Sequence, residues 1–332
     1  GALNIQAGTF DANAKTVTVT GLSTVSGGTY LASTATQTFN GGLTVSGGTF
    51  TGSSGTVTVT TVTLSSGTLT APSASGAFNL TGTWSNNGGT FTHNSGTVTF
   101  NANGAQTIGG SAATAFNNLT LSGSGVKTLP SVAPSIAGNF TLSGTATAAT
   151  VTALTIGGAL TVGSGTTLTV AGFNIAVTGA TSVSGTLTHS STTGTKTYSG
   201  DVTINSGGLI TETVAEPIAY GGNVTINSGG TLTEFGAALM TFAGSFQNDG
   251  TYNPSTGAHT FSGTAKTLSG ANTISIPTVT VTGTYANNGT LTVATLLTVT
   301  SPGVLTNNGT ITATTALSGT GTLTQGSNAV LN

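Results

Sequence analysis

Residues 24–30 read Thr-Val-Ser-Gly-Gly-Thr-Tyr, and residues 44–50 read Thr-Val-Ser-Gly-Gly-Thr-Phe, 20 positions further along the chain. The same kind of recurrence joins residues 202–208 to residues 224–230, which both read Val-Thr-Ile-Asn-Ser-Gly-Gly. Asn-Asn-Gly-Thr at residues 287–290 also returns 20 positions later. A fixed period of about 20 to 50 residues is typical of solenoids, propellers and other repeat arrays, so this repeat decides the fold class.

Short runs within the repeats alternate threonine with an apolar residue, as in Thr-Val-Thr-Val-Thr at residues 16–20 and again at 56–60. Period-2 alternation over four to six positions predicts half-buried β-strands. The Ser-Gly-Gly and Asn-Asn-Gly sequences between the runs supply the positive φ angles that sharp turns need. About three such strands fit into one repeat. The sequence therefore predicts an all-β fold, a parallel β-helix (β-solenoid) with about 20 residues per coil and roughly sixteen coils.

The domain organisation follows from the same period. A string of immunoglobulin-like sandwiches is the competing all-β arrangement, but it needs about 100 residues per unit, and no similarity at that period is visible. We therefore predict a single continuous β-solenoid over residues 1–332. Prolines interrupt the rhythm near residues 126–137 and 213–222. Because proline cannot donate to a strand ladder, both stretches are predicted to be irregular loops.

Charge is almost absent from the chain. Four lysines and no arginine stand against six acidic residues, so charged residues make up 3% of the sequence, compared with roughly 25% in typical soluble domains. Four scattered lysines cannot neutralise a nucleic-acid backbone or hold an anionic membrane surface. No apolar run approaches the ~18 residues of a membrane-spanning helix. We therefore expect neither nucleic-acid binding nor membrane insertion, whereas the weak like-charge repulsion favours self-association.

Three stretches carry a resemblance to a known class of protein: Gly-Thr-Val-Thr-Phe-Asn at 96–101, Ala-Gln-Thr-Ile at 105–108 and Phe-Asn-Asn-Leu-Thr-Leu at 116–121. They resemble the Gly/Thr/Asn-rich β-solenoid stalks of bacterial surface adhesins and autotransporter-like passengers. The likeness lies in composition and period, extends over nearly the whole chain and includes no specific functional motif. It implies an extracellular structural or adhesive role and nothing finer. We expect an extracellular or cell-surface location, with surface glycans or other cells as partners besides copies of the chain itself.

A pair of glutamates is the most suggestive chemical feature. Glu212 and Glu234 occupy the same place in two successive repeats, so adjacent coils would stack them almost directly. Two carboxylates this close repel one another unless they are solvated, partly protonated or bridged by a cation. Asp201 and Glu216 lie in the same stretch, and hard oxygen ligands suit Ca²⁺. We expect an exposed pair, with Glu212 and Glu234 as candidate ligands of a Ca²⁺ ion and a glycosidase-type acid/base pair as further alternatives.

The other titratable residues form no catalytic pattern. All four lysines share a Lys-Thr-apolar slot that Gln37 and Gln106 also fill. A long polar side chain in that slot suits the solvated outer edge of a coil. His93, His189 and His259 lack metal-ligand spacing and are predicted to lie on the outer face. No nucleophile elbow comes with a histidine and an acid, so we predict a chain that is not an enzyme and needs no cofactor.

Asparagine pairs give a structural prediction. Asn287-Asn288 and Asn307-Asn308 would place side-chain amides one coil apart, where each can donate to the next as in amyloid asparagine ladders. The dipeptides at 86–87, 117–118 and 248–249 belong to the same class. Such a ladder stabilises turns without charge.

The terminal coils carry the functional prediction. A β-helix without caps offers unpaired strand edges to its neighbours, and neither end shows a capping helix. The predicted assembly interface consists of Ala2, Leu3, Asn4, Ile5, Leu323, Val330 and Leu331. A head-to-tail contact that does not close into a ring produces a filament.

These patterns predict a non-enzymatic structural subunit of an extracellular fibre, a homopolymer that forms through uncapped solenoid ends and β-strand addition. The first alternative is a stalk segment of a large bacterial surface adhesin. The second is an ice-binding protein, because outward Thr-x-Thr ranks can match an ice lattice. The ranks at residues 16–20, 56–60 and 278–282 are expected not to recur in every coil, which argues against ice binding.

Overall fold

The computed structural model describes all 332 residues and contains 45 short β-strands and no helix. All strand pairs are parallel, and successive turns of about 20 residues stack to form a β-solenoid of about 16 turns. The predicted fold class is thereby confirmed. The chain forms two compact units, Gly1–Gly158 and Ala159–Asn332, and each is described by itself.

Three ladders of strands make up the first unit. The first sheet contains β1 (Leu3–Ile5), β4 (Ser23–Val25), β7 (Leu43–Thr51), β9 (Val62–Thr70), β11 (Trp84–Asn86), β14 (Gln106–Gly109), β17 (Ser124–Thr128) and β20 (Thr145–Ala149), with β2 (Thr9–Asp11), β5 (Thr29–Leu31) and β12 (Thr90–Thr92) paired beside this path. The second contains β3 (Val17–Val19), β6 (Gln37–Phe39), β8 (Val57–Val59), β10 (Ala77–Leu80), β13 (Thr97–Phe100), β16 (Asn118–Leu121) and β19 (Phe140–Leu142). The third contains β15 (Ala115–Phe116), β18 (Ser135–Ile136) and β21 (Leu154–Ile156).

The second unit repeats this plan. Its first sheet contains β23 (Thr167–Val170), β26 (Thr186–His189), β29 (Leu209–Glu212), β32 (Thr231–Thr233) and β35 (Thr251–Asn253). Its second contains β22 (Leu160–Val162), β25 (Thr181–Val183), β28 (Val202–Ile204), β31 (Val224–Ile226), β34 (Phe246–Asn248), β37 (Lys266–Ser269), β39 (Thr284–Asn287), β41 (Val304–Asn307) and β44 (Thr322–Gln325). Its third contains β24 (Ile175–Val177), β27 (Lys196–Tyr198), β30 (Ile218–Tyr220), β33 (Met240–Phe242), β36 (Ala258–Phe261), β38 (Ile274–Val281), β40 (Thr290–Val299), β42 (Thr310–Ala313) and β45 (Val330–Leu331), with β43 (Leu317–Ser318) beside β40.

The alternation of the sequence determines which side chains enter the core. In β8 the side chains of Val57 and Val59 are buried, whereas Thr58 between them is partly exposed. The register stacks Val59 between Phe39 of the turn before and Leu80 of the turn after, so one apolar column continues from turn to turn. Each fully buried side chain of this kind contributes roughly 1.5–3 kcal/mol relative to an exposed one.

Aromatic rings stack in the same way along columns of the other sheets. In the first unit Tyr30 lies between Phe10 and Phe50, with ring centroids 5.2 and 5.0 Å apart and nearly parallel planes. In the second unit Tyr198, Tyr220, Phe242 and Phe261 continue one stack with centroid separations of 5.8, 5.3 and 5.2 Å. Ring pairs in this range add about 0.5–1.5 kcal/mol beyond the area that they bury.

Glycine allows adjacent turns to approach closely at the corners. Gly110 has a φ of 116°, and a Cβ at this position would lie 2.0 Å from the backbone oxygen of Asn86. A side chain here would therefore collide with the neighbouring turn and also strain the backbone.

The proline-containing stretches are loops, but they are shorter than the sequence suggests. Residues 129–134 and 213–217 lie outside strands. The flanking residues Ser124–Thr128, Ser135–Ile136 and Ile218–Tyr220 are strands that pair with neighbouring turns. The three prolines of these stretches all lie in the loop residues, so the ladder resumes directly beside them.

A column of threonines follows the outer side of the second sheet in the first unit. Successive turns place Thr18, Thr38, Thr58, Asn79, Thr99, Thr120 and Thr141 in register. None of these side chains is hydrogen-bonded to another group of the chain. This single column leaves the expectation for the Thr-x-Thr ranks unchanged, because only one threonine per turn recurs and Asn79 interrupts even that series. No fixed period in the sequence reveals this column, because the spacing between successive turns varies between 20 and 21 residues.

Candidate functional site

Ten polar side chains meet inside the second unit, in a region that the sequence predicts to be solvated. Each of them is at most 9% exposed. We call them the buried polar cluster, and they are His189, Lys196, Tyr198, Glu212, Glu216, Tyr220, Glu234, Tyr252, Ser255 and His259. Three of the six acidic residues of the chain belong to it.

Strand register explains why these residues point inward. His189 and Glu212 end β26 and β29 and are directly paired, at the inward position that Val170 fills one turn earlier. In the third sheet Lys196 and His259 occupy a column that Ile218 and Met240 fill in the turns between them. Polar side chains thus replace aliphatic ones at core positions of an otherwise regular solenoid.

Glu234 lies near the centre of the cluster, where both of its carboxylate oxygens have partners. The Tyr252 hydroxyl donates to Oε1 at 2.9 Å, and the backbone N–H of Ser255 donates to Oε2 at 2.8 Å. Nε2 of His259 lies 2.6 Å from the same Oε2. Burial and the nearby carboxylate raise the pKa of Tyr252 well above its usual range.

Glu212 stands on the turn before Glu234 and has fewer partners. Its Oε2 accepts a hydrogen bond of 2.9 Å from the backbone N–H of Phe235, whereas Oε1 has none. Burial, with smaller contributions from Glu234 and Glu216, raises the pKa of Glu212 to about 8. The expected exposed pair is therefore wrong: Glu212 and Glu234 are 4% and 6% exposed, because the strand alternation directs both inward.

Three of the four carboxylate oxygens of this pair accept hydrogen bonds from protein donors. No group of three or more histidine, cysteine, aspartate or glutamate side chains is arranged to hold a metal ion. A Ca²⁺ ion needs six to eight oxygen ligands, and both Glu234 oxygens already accept hydrogen bonds from protein donors. Asp201 is exposed and its Oδ1 accepts from the backbone N–H of Asn223, away from the cluster.

Two lysines are buried, which corrects the prediction that all four have solvated heads. Lys127 donates to the backbone oxygens of Ala102 and Gly104 and to Oε1 of Gln106, at 2.7, 3.0 and 2.7 Å. Burial lowers the pKa of this ammonium group. Lys15 is exposed and Lys266 is half-buried. The residues of this shared position thus occupy equivalent places in the coil. At some turns the long polar side chain points inward, and carbonyl groups at the corner accept its hydrogen bonds.

The second buried lysine forms an ion pair inside the cluster. Nζ of Lys196 lies 2.7 Å from Oε1 of Glu216, and both side chains are completely inaccessible. Nζ also donates to the backbone oxygen of Thr193 at 2.7 Å. Burial raises the pKa of Glu216, and Lys196 opposes that shift.

Two histidines are also interior, contrary to the predicted outer-face positions. Nε2 of His189 lies 2.8 Å from the Tyr198 hydroxyl, and Nδ1 has no partner. Burial, assisted by the charge of Lys196, lowers the pKa of His189 to about 3. His93 is half-exposed. The signal that sequence reasoning missed is the phase of the alternation, since His189 and His259 fall at positions where neighbouring repeats have Val or Met.

The acid and base groups of the cluster are buried. A groove near them has a volume of about 450 Å³ and lies on the outer side of β27, β30 and β33. Its lining includes Thr195, Thr197, Pro217, Leu239 and Thr241, which offer hydroxyl and apolar surface but no acid or base. Lys196 also borders it, with its side chain turned inward.

The predicted assembly residues lie at the two terminal turns. Ala2 and Asn4 are exposed, Leu3 is half-buried, and Ile5 is buried against the next turn. At the other end Leu323 is half-buried, and Val330 and Leu331 are 45% and 42% exposed. Strands β1 and β45 each pair on one side only.

Comparisons with protein families, curated proteins and solved structures found no match to this chain. None of its secondary-structure elements is a helix long and apolar enough to cross a bilayer. The residues and their geometry therefore carry the functional argument.

Proposed function

We propose that this chain is a non-enzymatic structural protein of the cell exterior, a fibre subunit that joins copies of itself through the strand edges of its terminal turns. Two features support a structural role. Parallel ladders run through each unit, and the acid and base side chains of the buried polar cluster lie in the core.

The observation that carries the proposal is the exposure of apolar side chains in the last turn. Leu317 is 49% exposed, whereas its partner in the preceding turn, Leu297, is 0% exposed. Leu331 is 42% exposed, and its partner Ile311 is 0% exposed. One more layer of chain would bury these residues as the earlier turns are buried, at roughly 25 cal/mol per Å² of apolar surface.

A second copy of the chain is the proposed source of that layer. The first turn offers complementary features, since β1, β2 and β3 leave one edge unpaired and Leu3, Phe10 and Val17 are only partly buried. The last turn carries no charged side chain and the first turn carries only Asp11 and Lys15, so few of the charges that natural sheets use to block strand pairing are present. Stacking the first turn of one copy on the last turn of another gives a contact between unlike surfaces, which propagates without closure.

Electron microscopy and sedimentation velocity of the purified chain test this proposal. We expect long fibres from the wild-type chain and mostly monomers from Leu331→Lys, because a lysine there must be desolvated when a strand is added. Thr322→Lys is the matched control: this exposed side chain lies on the same turn but points outward, so fibres should persist. Fibres of equal abundance from Leu331→Lys would contradict end-to-end assembly.

The stalk of a larger surface adhesin is the alternative that the same edges support. In that case the layer that covers Leu317 and Leu331 is a continuation of the same polypeptide. Single particles of uniform length from the wild-type chain would favour the stalk over the fibre subunit.

Ice binding is a second candidate function, and the threonine column favours it. The hydroxyls of Thr18, Thr38 and Thr58 lie on one face without partners in the chain. They repeat at the strand spacing of about 4.8 Å. A thermal-hysteresis measurement tests this function: a gap between melting and freezing points that Thr38→Lys abolishes supports it, and the absence of any gap rejects it.

A further inference from the structure

Lys196 and Glu216 make a contact that links two adjacent turns of the second unit. Lys196 begins β27, and Glu216 lies two residues before β30, the strand that pairs with β27 one turn later. Nζ of Lys196 lies 2.7 Å from Oε1 of Glu216, and neither side chain has any accessible surface. The two functional groups are therefore held together in a dry interior.

The hydrogen bonds of the Lys196 ammonium group and the Glu216 carboxylate differ from those of an ordinary ion pair. Neither Oε1 nor Oε2 of Glu216 accepts a well-directed hydrogen bond, although Nζ of Lys196 is in contact with Oε1. The Lys196 ammonium group and the backbone N–H of Ser191 still lie close enough to oppose the rise in the pKa of Glu216. The hydrogen bonds of Nζ go instead to the backbone oxygens of Thr193 and Gly194, at 2.7 and 3.4 Å. A buried carboxylate without hydrogen bonds is costly, and the attraction within a buried pair often fails to offset the loss of hydration.

Burial favours the uncharged form of the Glu216 carboxyl group. Burial raises the pKa of Glu216, and transfer of one proton within the pair gives a neutral amine beside a neutral carboxylic acid. Tyr198 and Tyr220 are buried beside them, and burial together with the charge of Glu216 raises the pKa of Tyr198. An amine in this setting is a nucleophile that water does not compete with.

A neighbouring acid is available to assist. Glu212 lies close enough for its carboxyl to be affected by both the charge and the backbone N–H of Glu216. With a pKa near 8 it is mostly protonated at neutral pH. Its Oε1 accepts no well-directed hydrogen bond, so this carboxyl is a candidate positioning group that polarises the Glu216 carbonyl.

We propose that Lys196 and Glu216 condense to an amide that covalently joins two adjacent turns. The Nζ–Cδ bond forms and the Cδ–Oε1 bond breaks. The ammonium group gives up two protons, and the departing oxygen takes both and leaves as water. No oxidant or reductant is involved. Both buried charges disappear in the product, which removes their desolvation cost and closes a short loop of chain.

The other buried lysine provides an internal control. Nζ of Lys127 lies 2.7 Å from Oε1 of Gln106 on the preceding turn, as a normal hydrogen bond. Nε2 of Gln106 donates to the backbone oxygens of Leu80 and Gly82, and no acidic residue lies near in sequence. We therefore expect Lys127 to remain a free amine.

Mass spectrometry of the intact, purified chain tests the proposal directly. The expected mass is lower than that of the sequence by one water, and a proteolytic digest should contain the Lys196 and Glu216 peptides as one branched species. The Lys127 peptide should be unmodified. Glu216→Gln should lose one ammonia in place of water, Glu212→Gln should slow the reaction, and Lys196→Arg should retain its full mass.

Several results would overturn the proposal. The folded wild-type chain at full mass, with the two peptides recovered separately, is the simplest. Loss of one water located at Asp249-Gly250 would instead identify a succinimide, which forms in flexible Asp-Gly sequences. Circular dichroism of Lys196→Arg shows whether that variant is folded, but the wild-type measurement alone decides the outcome.

Discussion

Glu212 shows how strongly the environment of one carboxyl depends on which side of a strand it occupies. In β29 the inward positions belong to Ile210 and Glu212, which are 1% and 4% exposed, with Thr211 partly exposed between them. A residue that would be a solvated anion on the outer side becomes an acid that resists ionisation. The ionisation of Glu212 therefore depends more on which side of the strand its carboxyl faces than on the residues next to it in the sequence.

The pH dependence of the free energy of unfolding should show the effect of burial on the pKa of Glu212. The pKa of Glu212 rises from 4.5 to about 8 on folding, so the folded chain holds a proton that the unfolded chain releases. The free energy of unfolding should therefore decrease between pH 4.5 and 8, by at most about 1.4 kcal/mol per pH unit from this group. Urea unfolding at several pH values measures the slope. Glu212→Gln should flatten it, and an unchanged slope would contradict the assignment.

His189 should dominate the opposite, acidic limb. Its pKa falls from 6.5 to about 3 on folding, because the buried ring is favoured in its neutral form. Stability from this group is complete above pH 6.5 and decreases as the pH falls towards 3. We expect His189→Gln to reduce the acid sensitivity of the urea midpoint, whereas His93→Gln, at a half-exposed site, should leave it unchanged.

At the scale of single elements, the asparagine ladder was predictable because it needs only the repeat length. Nδ2 of Asn287 donates to Oδ1 of Asn307 at 2.9 Å, and Nδ2 of Asn308 donates to Oδ1 of Asn288 at 3.0 Å, which confirms the predicted ladder. The earlier pairs differ: Nδ2 of Asn248 donates to a backbone oxygen at the corner, that of Thr273.

The two asparagine columns should differ in their effect on stability. Asn287 is fully buried and also donates to the backbone oxygen of Thr310 at 3.0 Å. Asn287→Ala leaves buried partners unsatisfied and should lower the free energy of unfolding by about 1–3 kcal/mol. Asn288→Ala, at an exposed position, is the matched control and should cost about 0.5 kcal/mol or less. Equal losses in guanidinium unfolding would show that burial does not decide the contribution.

The strands were also predictable, because they depend only on the local sequence pattern and the repeat length. The buried polar cluster was not predictable from these features. Alternation and period are properties of neighbouring residues, so they predict strands, turns and the parallel stacking of repeats. Whether Lys196 or Lys15 points inward depends on the phase of each short strand relative to its corner. A corner that gains or loses one residue exchanges the inward and outward positions of the strand that follows. The amino-acid composition does not reveal that exchange.

At the scale of the whole molecule, the surface carries even fewer charged side chains than the composition suggests. Five of the ten charged side chains, Lys127, Lys196, Glu212, Glu216 and Glu234, are buried. The remaining five, three aspartates and two lysines, have a net charge of −1 (2 − 3). Long-range repulsion between copies is therefore close to zero.

Association should accordingly be insensitive to salt. Raising NaCl from about 0.1 to about 1 M shortens the screening length from roughly 10 to 3 Å, which changes assembly only where charges take part. We expect the same critical concentration for fibre formation at both concentrations, measured by pelleting. A change of tenfold would indicate that Asp11, Lys15 or another surface charge lies in the contact.

The pairing of each turn with only the turns before and after it has a consequence for how such a gene changes. Duplicating or deleting the stretch that encodes one complete turn, such as residues 203–224, keeps the register of the second sheet. Every inward residue downstream then still meets an inward partner. Unequal crossing-over among near-identical repeats can therefore alter the length of the protein in whole steps, and selection can act on that length while the local sequence of each surviving repeat stays the same.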